Sequence, residues 1–164
     1  PGTALTVTPQ ATWEAWILLM VEPQQEVMMI VDRFVFIERE GRNLYVLPGR
    51  HVQATSTLNP GIRSEVTSPF PIPLGEWVHV AATFDEPNHR MQLLVNGVVV
   101  DEVPLSCCTL RPTVPTTIGR SNSFYADYFH GKIDEVRIST TVRQLHPVAV
   151  EEKSWGAVKR FWRE

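Results

Sequence analysis

The chain has 164 residues, 43% hydrophobic and 20% charged, with 15 basic against 18 acidic side chains and a net charge of −3. A single domain of this size buries about 70% of its unfolded surface, so it closes a core without metal or disulfide staples. Its longest apolar run, residues 15–21, is too short to cross a bilayer as a helix, and its charge balance offers no field for tracking phosphates, which argues against nucleic acid as a partner.

Period-two alternation dominates the chain and predicts short strands at Leu5–Val7, Thr12–Val21 and Val27–Val31. A hairpin is predicted over Phe34–Leu47, with Val35-Phe36-Ile37 and Leu44-Tyr45-Val46 flanking a polar turn at Glu40-Gly41-Arg42-Asn43. Strands follow at Val52–Thr57 and Ile62–Thr67, then at Glu76–Phe84, where Val78, Val80, Ala82 and Phe84 form one apolar face. Residues 91–101 read as a second hairpin, because Asn96-Gly97 between apolar runs is the strongest short hairpin signal. The last strands are Thr116–Ile118 and Lys132–Ser139. Such strands, punctuated by 9 Gly and 13 Pro, fit an all-β, two-sheet antiparallel sandwich and disfavour a helical bundle.

Two domain-level parts are expected, a sandwich over residues 1–143 and an amphipathic C-terminal helix or tail over residues 144–164. In the tail Pro147 is placed to start a helix, and Trp155, Val158 and Trp162 fall near one face. Gly156 weakens that helix by about 1 kcal/mol. The adjacent pair Cys107 and Cys108 would point to opposite faces of a strand, which suits two packing positions better than a mutual disulfide. No charged and apolar leader opens the chain at Pro1, which leaves a removed leader or an excised domain as readings.

Several segments together resemble the concanavalin A-like lectin/glucanase superfamily, in particular its laminin G-like modules. They are residues 12–17 (TWEAWI), 73–85 (PLGEWVHVAATFD), 93–97 (LLVNG), 117–119 (TIG) and 129–138 (FHGKIDEVRI). The resemblance covers about residues 3–143 and implies a jelly-roll sandwich, an extracellular or cell-surface setting, and roles in carbohydrate binding or cell adhesion. Two departures stand out. The family's earlier strand, ending in an Asp-Gly turn before the segment resembling Leu5-Thr6-Val7, is missing, and the tail after Arg143 has no counterpart.

Related glucanases carry Glu-x-Asp-x-x-Glu on one strand, three carboxylates on one face for glycoside hydrolysis. No stretch here has that spacing, and Glu38-Arg39-Glu40 is most simply solvated charge. With no nucleophile elbow, zinc helix or phosphate loop either, the chain reads as a non-catalytic module. The histidines at 51, 79, 89, 130 and 146 show no metal-ligand spacing.

Asp134 alternates in phase with Val136 and Ile138, which would turn its carboxylate inward, where it needs an Arg, local amides or a cation. The resemblance implies a structural calcium ion held by that Asp and main-chain oxygens of the missing first turn. Glu135 and Arg137 would form a surface ion pair on the opposite face. Residues 120–129, RSNSFYADYF, have the composition of a glycan site, aromatic faces beside amides, carboxylate and Arg. The candidate binding residues are Arg120, Asn122, Tyr125, Asp127 and Tyr128; the bland alternative has Phe124 and Phe129 plugging the sandwich end. Trp16, Trp77 and His79 fall on a second apolar face that must be covered or else bind something. The tail offers Trp155, Val158, Phe161 and Trp162 as partner contacts, docked on its own sandwich, on another subunit or domain, or least favourably on a membrane. The expected partner is therefore a glycan, or alternatively another protein or subunit in an assembly role without sugar.

Overall fold

The computed structural model describes residues 8–24, 26–35, 40–58, 61–106, 114–121 and 128–145. Among them run ten strands: β1 (Gln10–Leu19), β2 (Met28–Val35), β3 (Glu40–Val46), β4 (Val52–Leu58), β5 (Ile62–Thr67), β6 (Trp77–Asp85), β7 (Arg90–Val95), β8 (Val98–Pro104), β9 (Thr117–Ile118) and β10 (Gly131–Ser139). They form two antiparallel five-stranded sheets. Sheet A has the order β10-β1-β6-β7-β8, and sheet B the order β5-β4-β3-β2-β9. The predicted sandwich is therefore the observed one; the expected strand at Leu5–Val7, the two cysteines and the C-terminal helix or tail lie outside the described residues.

Alternation decides what each sheet buries. From sheet A, Trp13, Ala15, Ile17 and Leu19 of β1 face inward with Val78, Val80, Ala82 and Phe84 of β6 and with Met91 and Leu93 of β7. Sheet B meets them with Val31, Leu44, Val46, Val52, Ala54 and Val66. Each such Val, Leu, Ile, Met or Phe side chain contributes about 1.5–3 kcal/mol by leaving water. Trp13 sits edge-on to Phe84 at 5.7 Å. One edge of the sandwich is laced by polar bonds: Ser64 Oγ donates to the Pro104 carbonyl (3.0 Å), the Ser106 N–H donates to Ser64 Oγ (2.9 Å), and the Thr67 N–H donates to Asp101 Oδ2 (2.7 Å). At the β7–β8 turn Asn96 and Gly97 both take positive φ, 51° and 77°, as a type I′ hairpin requires.

Two sequence expectations are corrected. The polar segment Glu40-Gly41-Arg42-Asn43 is not a turn but the start of β3, with Val35 opposite Glu40 and Phe34 opposite Gly41. That register keeps Arg42, Leu44 and Val46 on one face, and Arg42 is drawn into the core, 2% exposed. Its guanidinium pairs with Glu86 at 3.0 Å and stacks over the Phe84 ring at 4.5 Å.

The second correction concerns Asp134. Trp13 pairs with Ile138 and Glu14 with Arg137, but an irregularity follows, and Trp16 then pairs with Asp134 and Ile17 with Ile133. The extra residue is Glu135, at φ 50°, the signature of a bulge. Opposed residues share a face, so Asp134 lies on the outer face with Trp16 and Glu14 while Ile133 and Ile138 point inward. Glu135 and Arg137 are likewise not a simple i, i+2 pair, because Arg137 Nη1 stands 3.7 Å from Glu14.

Candidate functional site

The edge strand β9 positions the first part of the site. Its two residues pair with β2, Ile118 opposite Val31 and Thr117 opposite Asp32. Gly119 follows at φ 72°; its N–H donates to the Ile30 carbonyl (3.0 Å) and its own carbonyl accepts from the Phe129 N–H (2.9 Å). That second bond joins the two ends of the segment between them, so Arg120 and Tyr128 leave from one base. Arg120 is exposed, as is Tyr128 at 56%. Thr117 Oγ1 donates to the Arg120 carbonyl (2.9 Å), and Ser121 Oγ to Asp32 Oδ2 (3.2 Å). The other predicted binding residues, Asn122, Tyr125 and Asp127, lie outside the described residues.

From Asp32 a polar row crosses the outer face of sheet B, where Asp32, Asn43, Thr55 and Glu65 stand in register. Asn43 Nδ2 donates to Asp32 Oδ1 (2.7 Å), and Thr55 Oγ1 to Asn43 Oδ1 (3.0 Å). In the next row the Tyr45 hydroxyl donates to Gln53 Oε1, and Gln53 Nε2 to Thr67 Oγ1 (2.8 Å). Arg63 Nη2 reaches the Tyr45 oxygen at 3.3 Å and Glu65 at 2.5 Å. Burial pushes the Tyr45 phenol up to about 12, with Glu65 adding to the effect and Arg63 opposing it. Asp32, Asn43, Tyr45, Gln53 and Thr55 are all buried, and hydrogen bonds link them to one another and to Thr67, Arg63 and Ser121. What this face offers a ligand is concentrated at its two ends: Arg63 and Glu65 on β5, and Arg120 with Tyr128 beside β9. The rows were missed in the sequence because Asn43 was read into a turn. The signal for them was the alternation of Asn43 and Tyr45 with Leu44 and Val46, matched by Gln53 and Thr55 with Val52 and Ala54.

The outer face of sheet A carries a buried charge cluster. Glu14, 6% exposed, meets the Arg143 guanidinium through Oε1, Arg137 at 3.7 Å and His79 Nε2 at 3.3 Å. Burial lowers the pKa of His79 and outweighs the attraction of Glu135. The imidazole is therefore neutral, and its Nε2 faces the Glu14 carboxylate as a polar contact. Its Nδ1 is buried with no hydrogen-bond partner. The ring tilts against Trp16, with centroids 5.4 Å apart. A carboxylate held by two arginines is a poor proton acceptor, so this Glu–His pair is not arranged for general base chemistry.

Asp134 is set apart from both ends of sheet B. Its Oδ1 accepts from the Glu135 N–H at 2.9 Å. Among the described residues no three His, Cys, Asp or Glu side chains gather closely enough to hold a metal ion. Trp155, Val158, Phe161 and Trp162 lie outside the described residues.

A family model described as the concanavalin A-like lectin/glucanases superfamily matches residues 1–149. Among curated proteins no significant relative is found. Among solved structures the chain resembles a Bacteroides ovatus protein inferred to bind carbohydrate, at 20% identity and a TM-score of 0.71, over 93% of this chain but only 44% of that one. It resembles the CBM40 of the Ruminococcus gnavus IT-sialidase, solved bound to α2,3-sialyllactose, at 14% identity and a TM-score of 0.72, over 90% of this chain and 83% of that one. A third is the heptameric SAP-like pentraxin of Limulus polyphemus, at 16% identity and a TM-score of 0.65, over 90% and 71% of the two chains. At these identities the likenesses establish the fold.

Proposed function

The chain belongs to the concanavalin A-like lectin/glucanase superfamily, and from that premise we propose that it is a non-catalytic carbohydrate-binding module of an extracellular or surface protein, with its site at the β9 edge of sheet B. The observation that carries this reading is the pairing of exposed Tyr128 with exposed Arg120 at one hydrogen-bonded base. A phenol face stacks on a sugar ring, and a guanidinium fork hydrogen-bonds hydroxyls or a carboxylate. Asn122, Tyr125 and Asp127, between these two residues in sequence, extend the same chemistry. The Bacteroides and Ruminococcus neighbours support the ligand class.

The test is a glycan and polysaccharide array probed with the whole chain, followed by Tyr128→Ala and Arg120→Ala. Each substitution is expected to weaken a specific hit about tenfold or more, the loss of roughly 1.4 kcal/mol, while reducing-sugar release stays at background. A hit untouched by both substitutions removes the β9 edge as the site. A second reading, protein assembly without sugar, is favoured by one observation. Met20, Val21 and Leu74 are 61%, 50% and 43% exposed, and the Leu19–Leu74 bridge gathers them at one end of the sandwich.

A further inference from the structure

The outer face of sheet A has an apolar centre at Ala81 and Leu94 that is nevertheless buried. Glu14, Ala81, Leu94 and Val99 stand in one row across β1, β6, β7 and β8, with Trp16 and His79 in the next and Leu18 and Trp77 beyond. None of these side chains points at sheet B. Yet Ala81 is 0%, Leu94 4% and His79 8% exposed, values of core residues, and the shielding stops at β8, where Val99 is 45% exposed. A sheet face turned away from its partner sheet reaches such burial only when a further layer covers it.

The chain delivers its own end to this face. After β10 it doubles back over β1. Thr12 Oγ1 donates to the Thr141 carbonyl (2.9 Å), the Arg143 N–H donates to Thr12 Oγ1 (2.9 Å), and the Arg143 guanidinium closes on Glu14. Glu14 is in register with Ala81. Neighbouring strands are about 4.8 Å apart, so from β1 the row reaches Leu94 in about 10 Å. Residues 146–164, which follow Leu145, span about 28 Å even when fully helical. They bring Trp155, Val158, Phe161 and Trp162 together with Lys153, Lys159, Arg160 and Arg163. The apolar part matches the Ala81–Leu94 row, and the basic part matches the carboxylates bordering this face, Asp134 and Glu135 on β10 and Glu102 on β8. A segment this short, interrupted by Gly156, holds no helix alone in water and needs a surface.

We infer that the outer face of sheet A is the docking surface for the chain's own C-terminal segment, residues 146–164, with its aromatic residues seated over Ala81 and Leu94 and its edge short of Val99. The Arg143–Glu14 pair anchors the start of that segment. This assignment leaves the β9 edge of sheet B open to a ligand and does not rest on what that ligand is.

Limited trypsin digestion of the full chain tests it, with the cut sites after Lys153, Lys159, Arg160 and Arg163 followed by mass spectrometry and the solution mass recorded over a dilution series. In the wild type these sites are expected to be cut at least about tenfold more slowly than in Leu94→Asp, and the protection should survive dilution of a monomer. Trp155→Ser with Trp162→Ser releases the same sites without touching the sandwich, so the test stands if Leu94→Asp fails to fold. Wild-type sites cut as fast as in the Trp155→Ser/Trp162→Ser variant overturn the inference. So does protection that disappears on dilution together with a dimer mass, which would make a second copy the occupant.

Discussion

Arg42 is the least expected residue of the core, and the cost of disturbing its partner follows from its surroundings. The guanidinium is 2% exposed; Nη2 holds Glu86 at 3.0 Å, Nη1 donates to the Thr8 carbonyl at 3.2 Å, and the Phe84 ring lies 4.5 Å away. Removing one partner of a buried pair costs about 3–5 kcal/mol, because the other charge stays desolvated. Glu86 is 12% exposed at its side chain, and Thr8 and Phe84 still face the cation, so Glu86→Ala belongs at the lower end, about 3 kcal/mol. For a chain of this length that is a fall of roughly 6–12 °C in Tm. Arg42→Met behaves differently. Burial already raises the Glu86 pKa and Arg42 opposes it; without the cation the carboxyl rises further. A carboxyl whose folded pKa exceeds its unfolded value favours the protonated fold, so the stability of Arg42→Met is fullest below the ordinary glutamate range and falls as pH rises through the elevated value. The double variant Arg42→Met/Glu86→Leu should regain most of the loss, since a buried ion pair replaced by apolar groups is close to neutral. Equilibrium urea unfolding followed by tryptophan fluorescence measures all three. A cost below about 1 kcal/mol for Glu86→Ala, with the double variant equal to the sum of the singles, would refute the argument.

His79 is held neutral by burial, so its contribution to stability is present above pH 6.5 and is lost as pH falls through its depressed pKa; His79→Gln, which keeps a donor toward Glu14, should flatten the urea midpoint between pH 7.5 and 5, and an unchanged slope would count against it. The Tyr45 phenol is pushed up to about 12, so alkaline difference spectroscopy should show a step near pH 12 that is lost in Tyr45→Phe. A Cβ at Gly41 would run into the Arg33 carbonyl, and φ there is 148°, so Gly41→Ala should cost more than about 3 kcal/mol by displacing the β2–β3 pairing. Gly97→Ala would have to hold a positive φ of 77°, and a loss of about 1–2 kcal/mol is expected by urea unfolding.

Much of the fold was legible because alternation is a local signal. Val78, Val80, Ala82 and Phe84 declare β6 with no knowledge of its neighbours, and Asn96-Gly97 declares its turn. What escaped was set by distant contacts. Gly41-Arg42-Asn43 has turn composition, but Gly41 is there to let β3 approach the Arg33 carbonyl, and Arg42 is polar only because Glu86 and Phe84, far along the chain, receive it. Asp134 was misplaced because a bulge at Glu135 shifts the phase by one residue, and nothing in Ile133-Asp134-Glu135-Val136 marks the insertion. Of the candidate site, composition alone singles out Arg120 and Tyr128. The rows that back them, Asp32 to Thr55 and Tyr45 to Thr67, became visible only when β2, β3, β4 and β5 were laid side by side.

The two outer faces solve burial in opposite ways, and the difference bears on function. On sheet B the buried side chains are polar and bond sideways to one another: Asn43 spends its amide nitrogen on Asp32 and its oxygen on Thr55, while Gln53 spends its own on Thr67 and Tyr45. A row satisfied in this way is stiff, because moving any member strands the next as a buried unpaired group. The Ser121–Asp32 bond ties the β9 edge to that row, so Arg120 and Tyr128 are presented from a rigid base. Rigidity there lowers the ordering cost of binding whatever ligand the edge takes, a sugar in the function proposed above. On sheet A the row through Ala81 and Leu94 has no lateral hydrogen bonds to make, and its charged member, Glu14, is bound by Arg143 from the chain that crosses it. Such a face gains only by staying dry. A domain with one face self-satisfied and the other in need of a cover should therefore lose ligand affinity when the β9 edge is altered and lose stability when the C-terminal segment is released. Each change should leave the other property nearly intact.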